Sequence, residues 1–276
     1  MRFRIIVALL TPFREDGEVD HEALRAHVEW LAGEGVDALM PCGTTGEGAL
    51  LEPDEVLRVV ETTLAGAAGR AEVLAHVGRP STRASVALVH GARELGVAGL
   101  SAVLPYYYAV GEEGLRRHYG ALLEAAGDVP LYAYTIPDRT VNELPPAVFD
   151  ALAADGLAGV KDSTKSWDLH LEYLEVARRH GREALMGSDG MVLQAKRHGA
   201  AGVVSALANV RPSLFGRLAE ADGEEADALM AEVSALRTEM AAGGSSMPGV
   251  KRAVSSALAE RGVVYPAALR APLTAS

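Results

Sequence analysis

The chain has 276 residues, about twice the usual domain length, so it holds either two domains or one large α/β barrel. Hydrophobic residues make up 49% and charged residues 23%, which excludes a disordered, collagenous or disulfide-scaffold protein. A net charge of −11 disfavours nucleic acid and anionic membranes as partners, and the single cysteine, Cys42, leaves no internal disulfide to form. The apolar run at 5–10 is far shorter than the ~20 residues a membrane span requires. Arg2 and Arg4 before it imitate a secretion signal, but the polar turn Arg14-Glu15-Asp16-Gly17 ends it too early. A cytoplasmic protein is expected.

In chain order, short continuous apolar runs fall at 3–10, 37–42, 72–77, 99–104, 129–135, 156–161, 184–187 and 202–206. Continuous rather than alternating runs predict strands buried on both faces of a parallel sheet. Helical periodicity fills the gaps at 20–33, 52–68, 81–95, 112–126, 145–154, 167–181 and 191–198. Ser81 is placed to cap the third helix and Pro53 sits in the first turn of the second. A strand-helix unit repeating eight times predicts a (β/α)8 TIM barrel over 1–216. The rival, a doubly wound sheet, usually stops at five or six strands. Helical patterns at 218–242, broken near Gly223, and at 248–261 predict a small C-terminal helical region, 217–276, packed on the barrel. A Gly243-Gly244-Ser245-Ser246 loop separates them.

Active sites of such barrels lie at the C-terminal ends of the strands. That rule selects residues 42–48, Tyr106, Tyr107 and Tyr108, Tyr132, Tyr134 and residues 137–140, Lys161-Asp162, Gly187-Ser188-Asp189 and Ser205. Six of the eight tyrosines lie between Tyr106 and Tyr134. The chain has four lysines, Lys161, Lys165, Lys196 and Lys251. The last three sit in polar company and are expected to be solvated. Lys161 ends an apolar strand, where a desolvated amine can attack a carbonyl; a salt bridge to Asp162 is the competing role. The Gly43-Thr44-Thr45-Gly46 turn is either a plain strand-to-helix turn or a carboxylate site built from two hydroxyls and nearby N–H groups. Tyr134 and Tyr107 could relay protons through Thr44. The scattered histidines show no zinc-ligand spacing.

Thr11-Pro12-Phe13, Gly43-Thr44-Thr45-Gly46-Glu47, Pro105-Tyr106-Tyr107, Tyr134 with Pro137-Asp138-Arg139-Thr140, and Gly159-Val160-Lys161-Asp162-Ser163 follow one another as in a single superfamily. On these motifs the chain resembles the dihydrodipicolinate synthase/N-acetylneuraminate lyase family of pyruvate-dependent class I aldolases, over nearly its whole length. The resemblance implies a (β/α)8 barrel that makes or breaks a C–C bond beside pyruvate's methyl carbon. It implies Lys161 as the Schiff-base lysine, Tyr134 as the proton shuttle, and Thr44 and Tyr107 as its relay, with Tyr106 or Tyr107 serving across a dimer interface. Thr45 matches the pyruvate carboxylate site, and Gly187 and Val204 match positions lining the pocket through their backbone. No metal or organic cofactor is implied. Pyruvate and a small aldehyde or 2-keto-3-deoxy acid are the expected partners, in a homo-oligomer.

For the second substrate the resemblance points two ways. Arg139 matches the arginine with which dihydrodipicolinate synthases hold aspartate semialdehyde, the alternative being a surface salt bridge. His76-Val77-Gly78-Arg79-Pro80 departs from the Gly-x-Gly-x-Asn pattern of those synthases, and Val141 replaces a glycine. Pro53, Val56 and Pro80 stand where lysine-inhibited members carry other residues, so lysine feedback is not expected. Tyr106-Tyr107-Tyr108 and Gly187-Ser188-Asp189 are closer to 2-keto-3-deoxy sugar-acid aldolases, in which Asp189 would meet substrate hydroxyls. The few residues after Pro272-Leu273 leave out the final helix of many relatives, so altered oligomer contacts are expected. A dehydratase using the same imine, or a non-catalytic keto-acid-binding barrel, are the remaining alternatives.

Overall fold

The structure, a computed structural model, describes residues 2–241 and 246–274. Eight parallel strands close into one barrel in sequential order: β1 (Arg4–Ala8), β2 (Ala38–Met40), β3 (Glu72–His76), β4 (Gly99–Val103), β5 (Leu131–Thr135), β6 (Gly159–Asp162), β7 (Glu183–Met186) and β8 (Gly202–Ser205). The ring closes by β1 pairing β8, with Ile6 opposite Val204. Seven strands are shorter than their apolar runs, because the flanking apolar residues form the loops above and below the ladder, while β7 equals its run in length and begins one residue earlier.

The helices are α1 (His21–Gly33), α2 (Pro53–Ala67), α3 (Thr82–Glu94), α4 (Glu112–Ala126), the one-turn α5 (Pro137–Thr140), α6 (Pro146–Ala154), α7 (Trp167–His180) and α8 (Val192–Arg197), followed by α9 (Pro212–Glu220), α10 (Gly223–Met240) and α11 (Ser246–Ala259). Their starts have local causes. The Asp20 side chain accepts from the Ala23 N–H, and Ser81 from that of Ala84. Pro53 opens α2 behind a reciprocal Glu52–Glu55 capping box. The region after β8 is three helices, α9 running through residues 216 and 217, and the break expected near Gly223 falls at residues 221–222. All but Ser246 of the loop expected at 243–246 lies outside the described residues.

Two apolar layers hold the barrel. The larger lies between the strands and helices; the smaller fills the lumen with Ile6, Met40, Leu74, Leu185 and Val204. Tyr132 belongs to the lumen and corrects its expected place at the mouth. Its phenol donates to Glu183 at 2.8 Å, and Glu183 pairs with Arg4 at 2.6 Å. Arg4 and Glu183 open their strands, so this cluster plugs the barrel floor. The tyrosine-rich stretch is dispersed likewise: Tyr119 is core, while Tyr107 and Tyr108 are solvent-facing.

Two lysines also correct their expected solvation. Lys251 is fully buried, ion-paired with Glu47 and donating to the Ala268 carbonyl at 2.7 Å. Lys196 is mostly buried and bonds to the carbonyl of Leu218, in the last turn of α9, and to that of Ala221, just beyond it. Lys165 is solvated as expected and pairs with Asp138.

Candidate active site

Parallel register decides which side chains share the lumen. Tyr134 on β5 lies opposite Lys161 on β6, so both point inward. The next residue, Asp162, points outward to α7, where it accepts from His170 Nδ1 at 2.9 Å and from the Thr164 hydroxyl at 2.7 Å. Asp162 therefore does not neutralise Lys161. The lysine is 4% exposed, its Nζ 3.9 Å from the Tyr134 ring centroid and 3.9 Å from the Met40 sulfur. Among the described residues no carboxylate lies within ion-pair distance of it. The buried amine thus has an aromatic face and a thioether for neighbours, and the salt bridge to Asp162 is not formed.

The loop after β2 brings hydroxyls to this lysine. Thr44 Oγ1 is 3.4 Å from the Tyr134 phenol oxygen, a long hydrogen-bond contact in which either oxygen can donate. Thr45 stands beside it, half-buried. The N–H groups of Thr44 and Thr45 have no backbone partner among the described residues, while the turn is closed around them by Gly48 N–H to the Gly43 carbonyl at 3.0 Å. A Cβ on Gly48 would come within 1.6 Å of the Cys42 carbonyl, so only glycine permits this closure. Cys42 and Glu47 adopt left-handed backbone, at φ 62° and 55°. Glu47 is fixed from below by Lys251 and by the Arg270 N–H at 2.8 Å. Burial weakens the Lys251 ammonium's hold on its proton, and Glu47 opposes that shift. Arg270 also forks onto Glu55, both bonds 2.7 Å. The C-terminal region thus clamps the threonine loop.

Above the loop opens a cleft of about 440 Å³. Thr44, Thr45, His76, Arg79, Tyr106 and Arg139 line it, as do Met247 and Leu273 from the C-terminal region. Tyr134 and Lys161 are not in its wall; they are reached through Thr44 and through His76, whose ring meets Tyr134 edge-on at 5.9 Å. Burial, with Lys161 and Arg79 nearby, drops the His76 pKa to about 3, so the imidazole is neutral. Arg139 is exposed at the rim and forms no ion pair among the described residues, so the surface-salt-bridge role is not the one seen. Tyr107 does not join Thr44 and Tyr134 within one chain. It is 80% exposed on a left-handed backbone, φ 83°, edge-on to the exposed Tyr108. His76 and Arg79 are the lining residues that motif reading passed over as functional groups. Their signal was only a departure from a family pattern.

Gly187, Asp189 and Val204 lie on the opposite arc, beyond β7 and on β8, outside the wall of this cleft. The Val204 side chain is buried in the lumen, and the Gly187 carbonyl accepts from Ser163 at 3.3 Å. Asp189 is half-buried as a residue, yet its Oδ1 is buried without a hydrogen-bond partner. Desolvation pushes its pKa up to about 6, opposed by Ser205, Leu207, Arg237 and Lys161. A carboxyl that titrates near 6 folded and near 3.8 unfolded favours the fold in its protonated form. That contribution is full below about 4 and is lost as pH rises through 6. Asp189→Asn is accordingly expected to gain roughly 1–3 kcal/mol at pH 7.5 and nothing at pH 4, read from urea unfolding. Equal gains at both pH values would refute the assignment. No cluster of three metal-ligating side chains occurs among the described residues, nor does any helix long and apolar enough to cross a membrane.

A profile of the dihydrodipicolinate synthetase family matches residues 1–276. The chain belongs to the dihydrodipicolinate synthetase family. It is 39% identical over 217 residues to the 4-hydroxy-tetrahydrodipicolinate synthase of Pelobacter propionicus, covering 78% of this chain and 74% of the relative. It is 40% identical over 211 residues to that of Agrobacterium fabrum, covering 76% and 71%. The crystal structure of dihydrodipicolinate synthase from Aquifex aeolicus matches with a TM-score of 0.89 at 31% identity, over 99% of this chain and 92% of that one. A chloride-inhibited dihydrodipicolinate synthase from Acinetobacter baumannii, complexed with pyruvate, matches with a TM-score of 0.88 at 29% identity, over 99% and 93%. The chain is thus an enzyme, a carbon–carbon lyase or synthase of the pyruvate-dependent class I aldolase type.

Proposed function

We propose that Lys161 forms a Schiff base with pyruvate and that the resulting enamine adds to a small aldehyde, or is released from one by the reverse cleavage. The carrying observation is the burial of the Lys161 amine beside Tyr134 with no carboxylate within ion-pair distance among the described residues. Nζ attacks C2 of pyruvate, and loss of water leaves the protonated imine. A methyl proton then leaves to give the enamine, whose carbon bonds to the aldehyde carbon while the aldehyde oxygen takes up a proton. Water returns the amine and releases the 2-keto acid product. Tyr134 carries the protons with Thr44, and Thr45 with its loop N–H groups holds the pyruvate carboxylate.

Tyr107 belongs to this relay across a homo-oligomer interface; its exposed, strained position suits a side chain that enters a second subunit. A cytoplasmic setting agrees with a lone buried thiol whose pKa burial raises to about 12. Arg139 at the rim would receive a carboxylate on the second substrate, as in condensation with aspartate semialdehyde. Asp189 favours a second reading, cleavage of a 2-keto-3-deoxy sugar acid, because its orphaned Oδ1 would accept from a substrate hydroxyl. Gly187 and Val204 would shape that side of the pocket.

Borohydride reduction in the presence of pyruvate tests the mechanism: one pyruvyl group should be trapped per chain, on the peptide containing Lys161. No adduct, or one elsewhere, overturns it. Tyr134→Phe retains the ring beneath Lys161 and removes only the phenol. Its kcat should fall by about 10²–10⁴-fold while the trapped adduct still forms. Near wild-type turnover would reduce Tyr134 to a packing residue.

A further inference from the structure

The cleft wall holds a cation that the mechanism above does not use. Arg79 follows β3, is 8% exposed and lines the cleft. Its guanidinium donates to the Gly78 carbonyl at 3.3 Å and the Leu51 carbonyl at 3.2 Å. Two of five N–H donors are thereby engaged, by neutral acceptors only. Its backbone N–H is anchored to the Ser85 hydroxyl at 2.8 Å, so the residue is held from both ends.

A buried cation normally has an anionic partner, since desolvation otherwise outweighs what neutral acceptors return. The carboxylates near this wall are already engaged: Glu47 by Lys251, and Glu55 by Arg270. No carboxylate pairs with Arg79 among the described residues. The groups beside it add no charge. His76 is neutral, and the half-buried Tyr106 phenol has its pKa raised by burial, against a smaller opposing pull from Arg79. Tyr106 lines the same cleft and can donate its O–H to whatever Arg79 binds. In a chain of net charge −11, Arg79 is thus an anchored, buried cation in the cleft wall whose guanidinium bonds, among the described residues, only to neutral acceptors.

We propose that Arg79, seconded by Tyr106, binds a carboxylate on the tail of the aldehyde substrate and so selects acid-bearing aldehydes over neutral ones of equal length. The inference rests on the Schiff-base reading and deepens it. It assigns recognition to the segment after β3 in which the chain departs from the family pattern, and leaves Arg139 as an outer contact at the rim.

Succinic semialdehyde and butyraldehyde have the same four-carbon chain and differ in the terminal carboxylate. With pyruvate as donor, the wild-type enzyme should show a higher kcat/KM for the acid. Arg79→Gln should reduce that ratio at least about tenfold, through KM for the aldehyde, and Arg79→Lys should restore part of it. A purely structural Arg79 would lower kcat/KM for both aldehydes alike, and a solvent-facing one for neither; either result overturns the proposal. So does a wild-type enzyme with no preference for the acid. If Arg79→Gln fails to fold, the ratio measured for Arg79→Lys and Tyr106→Phe decides it, an unchanged ratio in both refuting the proposal. Borohydride trapping with pyruvate alone is run beside every variant. Loss of the adduct in the wild type condemns the Schiff-base reading itself, whereas an intact adduct with an unmoved aldehyde ratio condemns only the assignment of Arg79.

Discussion

Lys161→Ala should leave no pyruvate adduct under borohydride and lower turnover by at least about 10⁴-fold, because no second amine can take its place. The three other lysines are all committed elsewhere: Lys165 to Asp138 at the surface, Lys196 to carbonyls at the C-terminal end of α9, and Lys251 to Glu47. Lys161 sits in the lumen, so its removal also opens a small void beside Met40 and Tyr134, and stability should fall modestly. Mass spectrometry of the reduced protein separates the two effects. The variant should fold, bind no pyruvate covalently, and show an unmodified mass. Lys165→Ala, run alongside, should be labelled like the wild type. An adduct that survives in Lys161→Ala would place the imine on another residue.

Lys251→Met is expected to cost about 3–5 kcal/mol of stability, since it strands the buried Glu47 carboxylate without a counter-charge. For a chain of this size that corresponds to a fall in Tm on the order of 10 °C. Adding Glu47→Gln should recover much of the loss, because the neutral amide no longer needs the ammonium. Activity should respond as well. Glu47 closes the turn that carries Thr44 and Thr45, so KM for pyruvate should rise in Lys251→Met before unfolding sets in. Unchanged Tm and KM would mean that the pair neither clamps the loop nor holds the C-terminal region.

Much of this was written in local pattern. Continuous apolar runs at a regular interval determined eight buried parallel strands, because only a sheet covered on both faces has no polar side to show. Helix starts followed from Ser81 and Pro53, whose capping and φ preferences operate over three or four residues. Lys161 was legible because a lysine ending an apolar strand, in a chain with four lysines, conflicts with its surroundings unless it has a task.

Tertiary structure alone decided the rest, in each case because the deciding partner is distant in sequence. Whether Lys161 meets Asp162 depends on strand register: alternate residues face opposite sides, so the lysine enters the lumen and Asp162 turns to His170. Lys251 reads as a surface residue beside Arg252 until α11 is laid against Glu47, 204 positions earlier in the chain. Tyr132 and Tyr134 are two residues apart and share one face, yet one plugs the floor and the other serves the mouth, since a strand rises ~3.3 Å per residue. Arg79 carried no motif of its own. Its charge acquires meaning only from the burial of its guanidinium and the engagement of Glu47 and Glu55 by other cations, which no window of sequence contains.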